Sequence, residues 1–345
     1  MQPTRYITEN RATMLALIAG VLTLLGVWPI LELRNFWLND VPKFGIWLGF
    51  GVAVAVFAAF LFGFRYGKRP VGMKKSIHIT RSIIMSLSLA VAHAAIGFLA
   101  VVALAQYAGH SLSGLAITAF ITAGVSALAI LIAVYVTYIQ AVNMSASRLA
   151  GVLALFMTSG ALTSITTTTN HDWWRNHFSA LGMGDTLSSH TFNLTMIIAG
   201  LIVISLSHYI IQELRTIRKY FPQLTTRKTD ILRGMYLYIG GMMIGVGVFP
   251  YDKFRQIHDF CGHSLSAVFL AMIILLPWLV PGFSAWFIGV SYLLVGVVAY
   301  AYWTFLHGPV SLLIVETIGM LIFFFWLTLF IRHMTALKVS AEQKS

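Results

Sequence analysis

Two long stretches of this chain carry no charged side chain, and they limit what the chain can fold into. Residues 82–147 contain no Lys, Arg, Asp or Glu, and the same is true of residues 260–315. About a quarter of the residues in an ordinary soluble domain are charged, whereas this chain is 10% charged and 58% hydrophobic. A bilayer solvates apolar surface of this kind, so the sequence predicts an all-α, polytopic bundle of transmembrane helices.

The apolar segments are numerous enough for ten membrane spans. A helix needs about 20 mostly apolar residues to cross the hydrocarbon core. Both uncharged stretches are too long for one span, which predicts breaks near residues 109–111 and at residues 281–282. The predicted spans are residues 12–33, 44–64, 80–108, 112–139, 149–168, 187–211, 231–249, 261–281, 284–306 and 309–332.

The basic residues predict how these spans are oriented. With the N-terminus in the cytoplasm, 18 of the 23 Lys and Arg residues fall on the cytoplasmic side and 5 on the other side. This asymmetry follows the positive-inside rule, so the protein is expected in the cell membrane with both termini cytoplasmic. The net charge of +12 is then explained by topology, which argues against nucleic acid as a partner. Membrane lipids are the expected partners of the basic loops.

A change in composition near residue 148 predicts two parts. Residues 1–148 form a four-span segment built mainly from Ala, Val, Leu, Ile and Phe, and residues 149–345 form a six-span segment that carries most of the polar features. The first span is too long for the apolar region of a signal peptide and is expected to be retained. With only one cysteine, Cys261, an intramolecular disulfide is excluded.

Histidines and acidic residues concentrate in the predicted extracytoplasmic loops and helix ends of the second part. Asp259 and His263 are four residues apart and share a helical face if their helix begins early. Glu316 is the only acid well inside a predicted span, where an ionisable group usually faces protein or water. It is interpreted as a proton relay, as a partner of a nearby histidine, or as a protonated group bonded to Ser, Thr or Tyr. The candidate ligand-binding residues are His171, Asp172, Ser179, His190, His258, Asp259, His263 and Glu316.

Three functions fit this cluster. The favoured one is a non-enzymatic protein without a cofactor, whose pocket binds or moves a lipid or small solute. The second is a membrane-embedded, metal-dependent lipid hydrolase, which requires at least three of these side chains to converge on one point. The third is an accessory subunit that packs against a membrane protein partner, while the polar residues only cap helices and face water. Haem held between His190 and His263 is a further alternative.

Other patterns predict packing rather than chemistry. Gly241 and Gly245, with Gly240 and Gly247 beside them, give span seven a smooth face for close helix contact. The Ser and Thr residues at 163–169 are expected to bond back to carbonyls of their own helix. The aromatic residues expected at the membrane interface are Trp173, Trp174 and Tyr251.

A set of short motifs in the second part is similar to that of a known membrane family. The motifs are, in chain order, Phe-Ser-Ala-Leu-Gly at 178–182, Asn193, Gly200, Gly-Val-Gly-Val-Phe-Pro at 245–250, His258 and Gly262. Over about residues 149–332 the chain resembles the bacterial family called domain of unknown function 998, and more distantly the six-span Frag1/DRAM/Sfk1 membrane proteins. The first resemblance implies a helical membrane bundle without an agreed activity. The second implies a role in membrane lipid organisation.

Overall fold

An all-helical architecture runs through the part of the chain that the structure, a computed structural model, describes. This part comprises residues 5–33, 41–67, 75–111, 118–170 and 172–343. It contains eleven helices and no strand. Ten of these helices are long and apolar enough to cross a bilayer, which confirms the predicted number of spans. The chain divides into two compact units, Met1–Met144 and Ser145–Ser345, close to the boundary placed at residue 148.

The first unit is a bundle of four long helices. They are α1 (Arg5–Leu33), α2 (Val41–Tyr66), α3 (Lys75–Ser111) and α4 (Ala119–Val142). Helix α1 packs on α4, and α2 packs against both α3 and α4. Small and branched apolar side chains fill the interior, and they include Ala16, Val52, Val56, Ile130 and Val134.

Helix α3 is longer than the sequence predicts. It passes Gly109 and ends at Ser111, so the break falls where it is predicted, near residues 109–111. A single glycine at this point costs only about 1 kcal/mol of helix propensity, and no proline removes a backbone hydrogen bond. On the same helix, the buried His93 bonds the Leu89 carbonyl at 2.8 Å and the Gln140 side chain of α4 at 3.2 Å. Both ring nitrogens are therefore satisfied within the unit.

The second unit has six long helices and one short helix. They are α5 (Ala146–Thr167), α6 (Leu187–Ile217), α7 (Thr226–Val248), α8 (Tyr251–Ile274), α9 (Leu276–Leu279), α10 (Ala285–His307) and α11 (Leu312–Gln343). Helix α6 is central because it contacts α5, α7 and α11. Its most apolar stretch is 67% buried, a larger share than in the other nine candidate spans. Helix α10 lies against α8 and α11.

Span eight differs most from its predicted position at residues 261–281. Helix α8 begins directly after Pro250 and ends at Ile274, so it starts ten residues before the predicted boundary. The first turns of α8 are polar and exposed, which hides the helix from a hydropathy argument. At the other end, Pro277 lacks an N–H group and therefore cannot continue α8, so the short α9 follows as a separate helix.

The turn predicted at residues 281–282 is present. Gly282 has a φ of 106°, a conformation that favours glycine. A Cβ atom added there would lie 2.7 Å from the ring of Phe221, which belongs to the connection between α6 and α7. The turn before α10 therefore packs closely on that connection.

Helices α6 and α7 approach one another through glycines on both sides. A Cβ atom at Gly200 would lie 2.4 Å from the carbonyl oxygen of Gly240, and one at Gly240 would lie 2.7 Å from that of Gly200. Further along, a Cβ atom at Gly247 would meet the Asn193 carbonyl oxygen at 2.4 Å. The two backbones are in direct contact, as the predicted smooth face of this span requires.

The other two glycines of the predicted smooth face, Gly241 and Gly245, do not face α6. Gly245 faces α8, where an added Cβ atom would lie 2.5 Å from the sulfur of Cys261. Gly241 has open space within 4 Å, so its predicted role in close contact is wrong. Adjacent residues on a helix point about 100° apart, and only one of Gly240 and Gly241 can face α6.

Candidate functional site

One end of the second unit carries most of the predicted polar residues. We call it the histidine end and define it as the α5–α6 connection (residues 168–186) together with the first turns of α8. The connection contains two short 3-10 turns, Trp173–Arg175 and Phe178–Gly182. The α5–α6 connection is therefore partly ordered by its own backbone turns and is not an irregular loop throughout.

Hydrogen bonds attach the α5–α6 connection to three helices. The Phe178 N–H donates to the carboxylate of Glu316 on α11, and the Gly184 N–H donates to Asp252 on α8 at 3.1 Å. The Asn193 side-chain amide on α6 donates to the Gly182 carbonyl at 3.0 Å.

Three rings lie in contact at the histidine end. The ring centroids of His177 and Tyr251 are 4.3 Å apart, and those of Tyr251 and His258 are 5.6 Å apart. Tyr251 and His258 both belong to α8, and the backbone between them is kinked at Phe254, where φ is −135° and ψ is 45°. His177 reaches the same place from the α5–α6 connection.

His258 presents one ring nitrogen as an acceptor. Its Nδ1 lies 2.8 Å from the Phe249 carbonyl oxygen, which can only accept a hydrogen bond. Nδ1 therefore carries a proton, and whenever the ring is neutral a lone pair remains on Nε2. This Nε2 has no hydrogen-bond partner among the described residues, although His258 is only 5% exposed. The arrangement leaves an acceptor without a described partner beside the Tyr251 ring.

The environment of His177 favours the neutral imidazole. Burial lowers the pKa of His177, and the charges of His258 and Arg255 lower it further, while Asp259 raises it. The ordinary pKa of histidine is about 6.5. His177 is therefore neutral at pH 7 and can both donate and accept a hydrogen bond.

This shift predicts a loss of stability in acid. Because the pKa of His177 is lower in the folded chain than in the unfolded chain, the unfolded chain binds the proton more readily, and stability falls as the pH drops below about 6.5. The melting temperature in detergent should fall when the pH is lowered from 7.5 to 5.5. This fall should be smaller for His177→Asn than for the unmodified chain, by a few degrees. The control is His307→Asn, which alters an exposed histidine on α10. An unchanged pH dependence in His177→Asn would contradict the assignment.

Several predicted site residues form separate surface pairs, two of them ion pairs with arginine and one a contact between a histidine and an aspartate. Asp172 pairs with Arg175 at 3.2 Å, His190 with Asp185 at 2.8 Å, and Asp259 with Arg255 at 3.6 Å. Exposed pairs of this kind contribute at most about 1 kcal/mol. Asp172 and His190 therefore belong to local surface contacts, whereas Asp259 and Arg255 also act electrostatically on His177.

The remaining predicted residues have varied positions. His263 bonds the Asp259 carbonyl through Nδ1 at 2.7 Å, as expected for a helix that begins early, and it interacts electrostatically with Glu316. Ser179 is partly buried in the second 3-10 turn. His171 lies outside the described residues. Glu316 bonds a backbone N–H rather than a Ser, Thr or Tyr side chain.

The described residues contain no group of three His, Cys, Asp or Glu side chains that could hold a metal ion. The convergence that the metal-dependent hydrolase requires is therefore not present among them. Of the histidine pair considered for haem, His190 bonds Asp185 through Nε2, whereas His263 bonds its own helix through Nδ1 alone.

The Ser and Thr side chains at the end of α5 largely bond to carbonyls of their own helix, as predicted. Thr163 and Thr167 bond carbonyls one turn earlier, at 2.8 and 2.7 Å. Ser164 is different because it is fully buried and crosses to α6, where it bonds the Ser188 carbonyl at 2.8 Å. This serine pair joins α5 to α6 just below the α5–α6 connection.

Two residues at the centre of the site lie outside the predicted set of ligand-binding residues. His177 was not among the candidates, and Tyr251 was assigned to the membrane interface. No helical spacing joins Tyr251 to His258, because the backbone leaves helical geometry at Phe254 between them.

The ten apolar helices and the polar histidine end define a multi-pass helical membrane protein. No family model matches the chain, and neither a curated protein nor a solved structure matches it. The resemblance to the domain of unknown function 998 family and to the Frag1/DRAM/Sfk1 proteins therefore stays a prediction.

Proposed function

We propose that this protein binds the polar headgroup of a lipid, or a small solute of similar chemistry, at the histidine end of its second unit. The observation that carries the proposal is the contact of His177, Tyr251 and His258, with the Nε2 acceptor of His258 unpaired among the described residues. In the neutral ring this Nε2 can accept a hydrogen bond from a ligand donor. The output would be transport of the ligand or organisation of membrane lipids.

The charges around these rings support a ligand that has both donors and acceptors. Arg255 lies over the Tyr251 ring at 5.5 Å and beside Asp259 at 3.6 Å, so opposite charges flank the site. A zwitterionic or polyhydroxylated headgroup would find a complementary group for each of its ends. The carboxylates of Glu316 and Asp252 support this arrangement by fixing the backbone on either side of Gly182.

We further propose that the histidine end faces away from the cytoplasm in the cell membrane, with both termini inside. The distribution of 18 of 23 basic residues supports this orientation. The site would then open toward the outer leaflet, where a lipid headgroup is accessible to it.

Native mass spectrometry of the full chain, purified in mild detergent, tests the binding proposal. The unmodified protein should retain a discrete additional mass. In Tyr251→Phe the hydroxyl is lost while the ring contacts remain, and the occupied fraction should fall about fivefold, because one hydrogen bond contributes about 1 kcal/mol. Tyr300→Phe is the matched control, since Tyr300 is an exposed tyrosine on α10.

Two results would contradict the proposal. One is a bare protein mass for the unmodified chain, which would favour an accessory subunit that binds a membrane protein partner instead. The other is an equal loss of occupancy in Tyr251→Phe and Tyr300→Phe, which would place the bound molecule elsewhere on the protein surface.

A further inference from the structure

Positive charge accumulates at the opposite end of the second unit. We call this the basic end, where α6 stops at Ile217 and α7 starts at Thr226. Between residues 213 and 233 the acids are Glu213 and Asp230. The basic residues in the same interval are Arg215, Arg218, Lys219, Arg227, Lys228 and Arg233.

Three of these cations have partners within the protein. Arg215 lies 3.9 Å from Asp230. Arg218 donates to the Thr226 hydroxyl at 2.6 Å, and the Lys219 ammonium lies 4.4 Å from the centroid of the neighbouring Tyr220 ring. These three cations therefore already spend part of their hydrogen-bonding or electrostatic capacity on contacts within the protein.

Two cations on the first turn of α7 are arranged differently. The Lys228 ammonium lies 5.4 Å from the ring centroid of Trp278, a residue of α9 that is 47% exposed. Arg227 is exposed, and its side chain makes no hydrogen bond or ion pair with the described residues. The positive end of the α7 dipole lies at the same turn. A local excess of positive charge therefore faces outward beside an exposed indole.

The position of this turn suits the boundary between headgroups and lipid chains. Tryptophan concentrates at that boundary because its ring is apolar and its N–H is polar. Two turns further along α7, Gly234 lies on the same face as Arg227, and a Cβ atom there would have open space. The surface below the two cations therefore leaves room for an acyl chain.

We propose that Arg227, Lys228 and Trp278 bind the phosphate and adjoining glycerol of an anionic phospholipid. The two cations would neutralise the phosphate, and the indole would lie against the upper part of the lipid. Each basic residue at a membrane surface typically contributes enough attraction for a several-fold gain in affinity. The site is independent of the proposed headgroup site at the histidine end, because the 23 residues of α7 separate the two by about 33 Å.

The test is a lipid titration of the full chain, delipidated in mild detergent and followed by native mass spectrometry. The probes are phosphatidylglycerol and phosphatidylcholine. The variant Arg227→Gln/Lys228→Gln removes two charges from the proposed site. The control variant Arg215→Gln/Arg218→Gln removes two charges from the same basic end, but at cations that already have partners.

The unmodified chain should prefer phosphatidylglycerol, and the Arg227/Lys228 variant should bind it roughly tenfold more weakly. The control should change less than about twofold. Trp278→Leu keeps every charge and should also weaken binding several-fold, which keeps the proposal testable if the double variant folds poorly. Equal losses in the two double variants, equal binding of both lipids, or displacement of phosphatidylglycerol by millimolar inorganic phosphate would overturn the proposal.

Discussion

Replacing Gly240 with leucine should destabilise the second unit strongly. A side chain at this position has no space, because even a Cβ atom would lie 2.7 Å from the Gly200 carbonyl oxygen and 2.7 Å from the Ile204 side chain. Helix α7 would have to move away from α6, which is the central helix of the unit. Overpacking of a close-packed interior typically lowers the free energy of unfolding by about 1–3 kcal/mol. The loss should be at the upper end of that range or above it, because the Gly200 carbonyl oxygen is a backbone atom and cannot move aside by changing rotamer.

The adjacent glycine supplies the matched control. Gly241→Leu makes the same chemical change one residue along the same helix, where nothing lies within 4 Å. Leucine has a higher helix propensity than glycine by roughly 0.8–1 kcal/mol, so this variant should be as stable as the unmodified chain or slightly more stable. Thermal melting and monodispersity of the two variants in detergent measure the difference. Similar melting temperatures would show that α6 and α7 are not in direct backbone contact.

The number of spans was predictable because hydropathy is a property of whole segments. A twenty-residue average tolerates isolated polar residues, and it identified ten helices whose bounds mostly agree with the structure. The same averaging explains the error in α8. Its first turns contain Asp252, Lys253 and Arg255, which lower the mean hydropathy although α8 begins at Tyr251, with a kink at Phe254.

The contacts at the site depend on information that a local pattern does not contain. Which of two adjacent glycines on α7 faces α6 depends on how the two helices pack. The sequence therefore did not distinguish Gly240 from Gly241. The partner of Glu316 is a backbone N–H that lies 138 residues away along the chain. Every residue except proline has such a group, so no residue type marks it. Burial of a polar residue was predictable here, but the identity of its partner was not.

Glu316→Ala should release the α5–α6 connection from α11. The carboxylate of Glu316 accepts the Phe178 N–H, and alanine would leave that partly buried donor without an acceptor. An unpaired buried donor costs about 1–3 kcal/mol. Amide hydrogen exchange followed at Phe178 should therefore become at least about tenfold faster, since 1.4 kcal/mol corresponds to a factor of ten. Glu316→Gln keeps an oxygen acceptor at the same place, so its effect should be smaller.

Asp185→Asn is the control for this experiment, because Asp185 lies in the same connection but forms only an exposed pair with His190. Its exchange at Phe178 should match that of the unmodified chain. Since the connection carries His177 into contact with Tyr251, Glu316→Ala should also lower the occupancy of the ligand retained in native mass spectrometry. Faster exchange with unchanged occupancy would separate the two roles, because the bond would then hold the backbone without shaping the ligand site. Unchanged exchange at Phe178 would show that other contacts hold the connection in place.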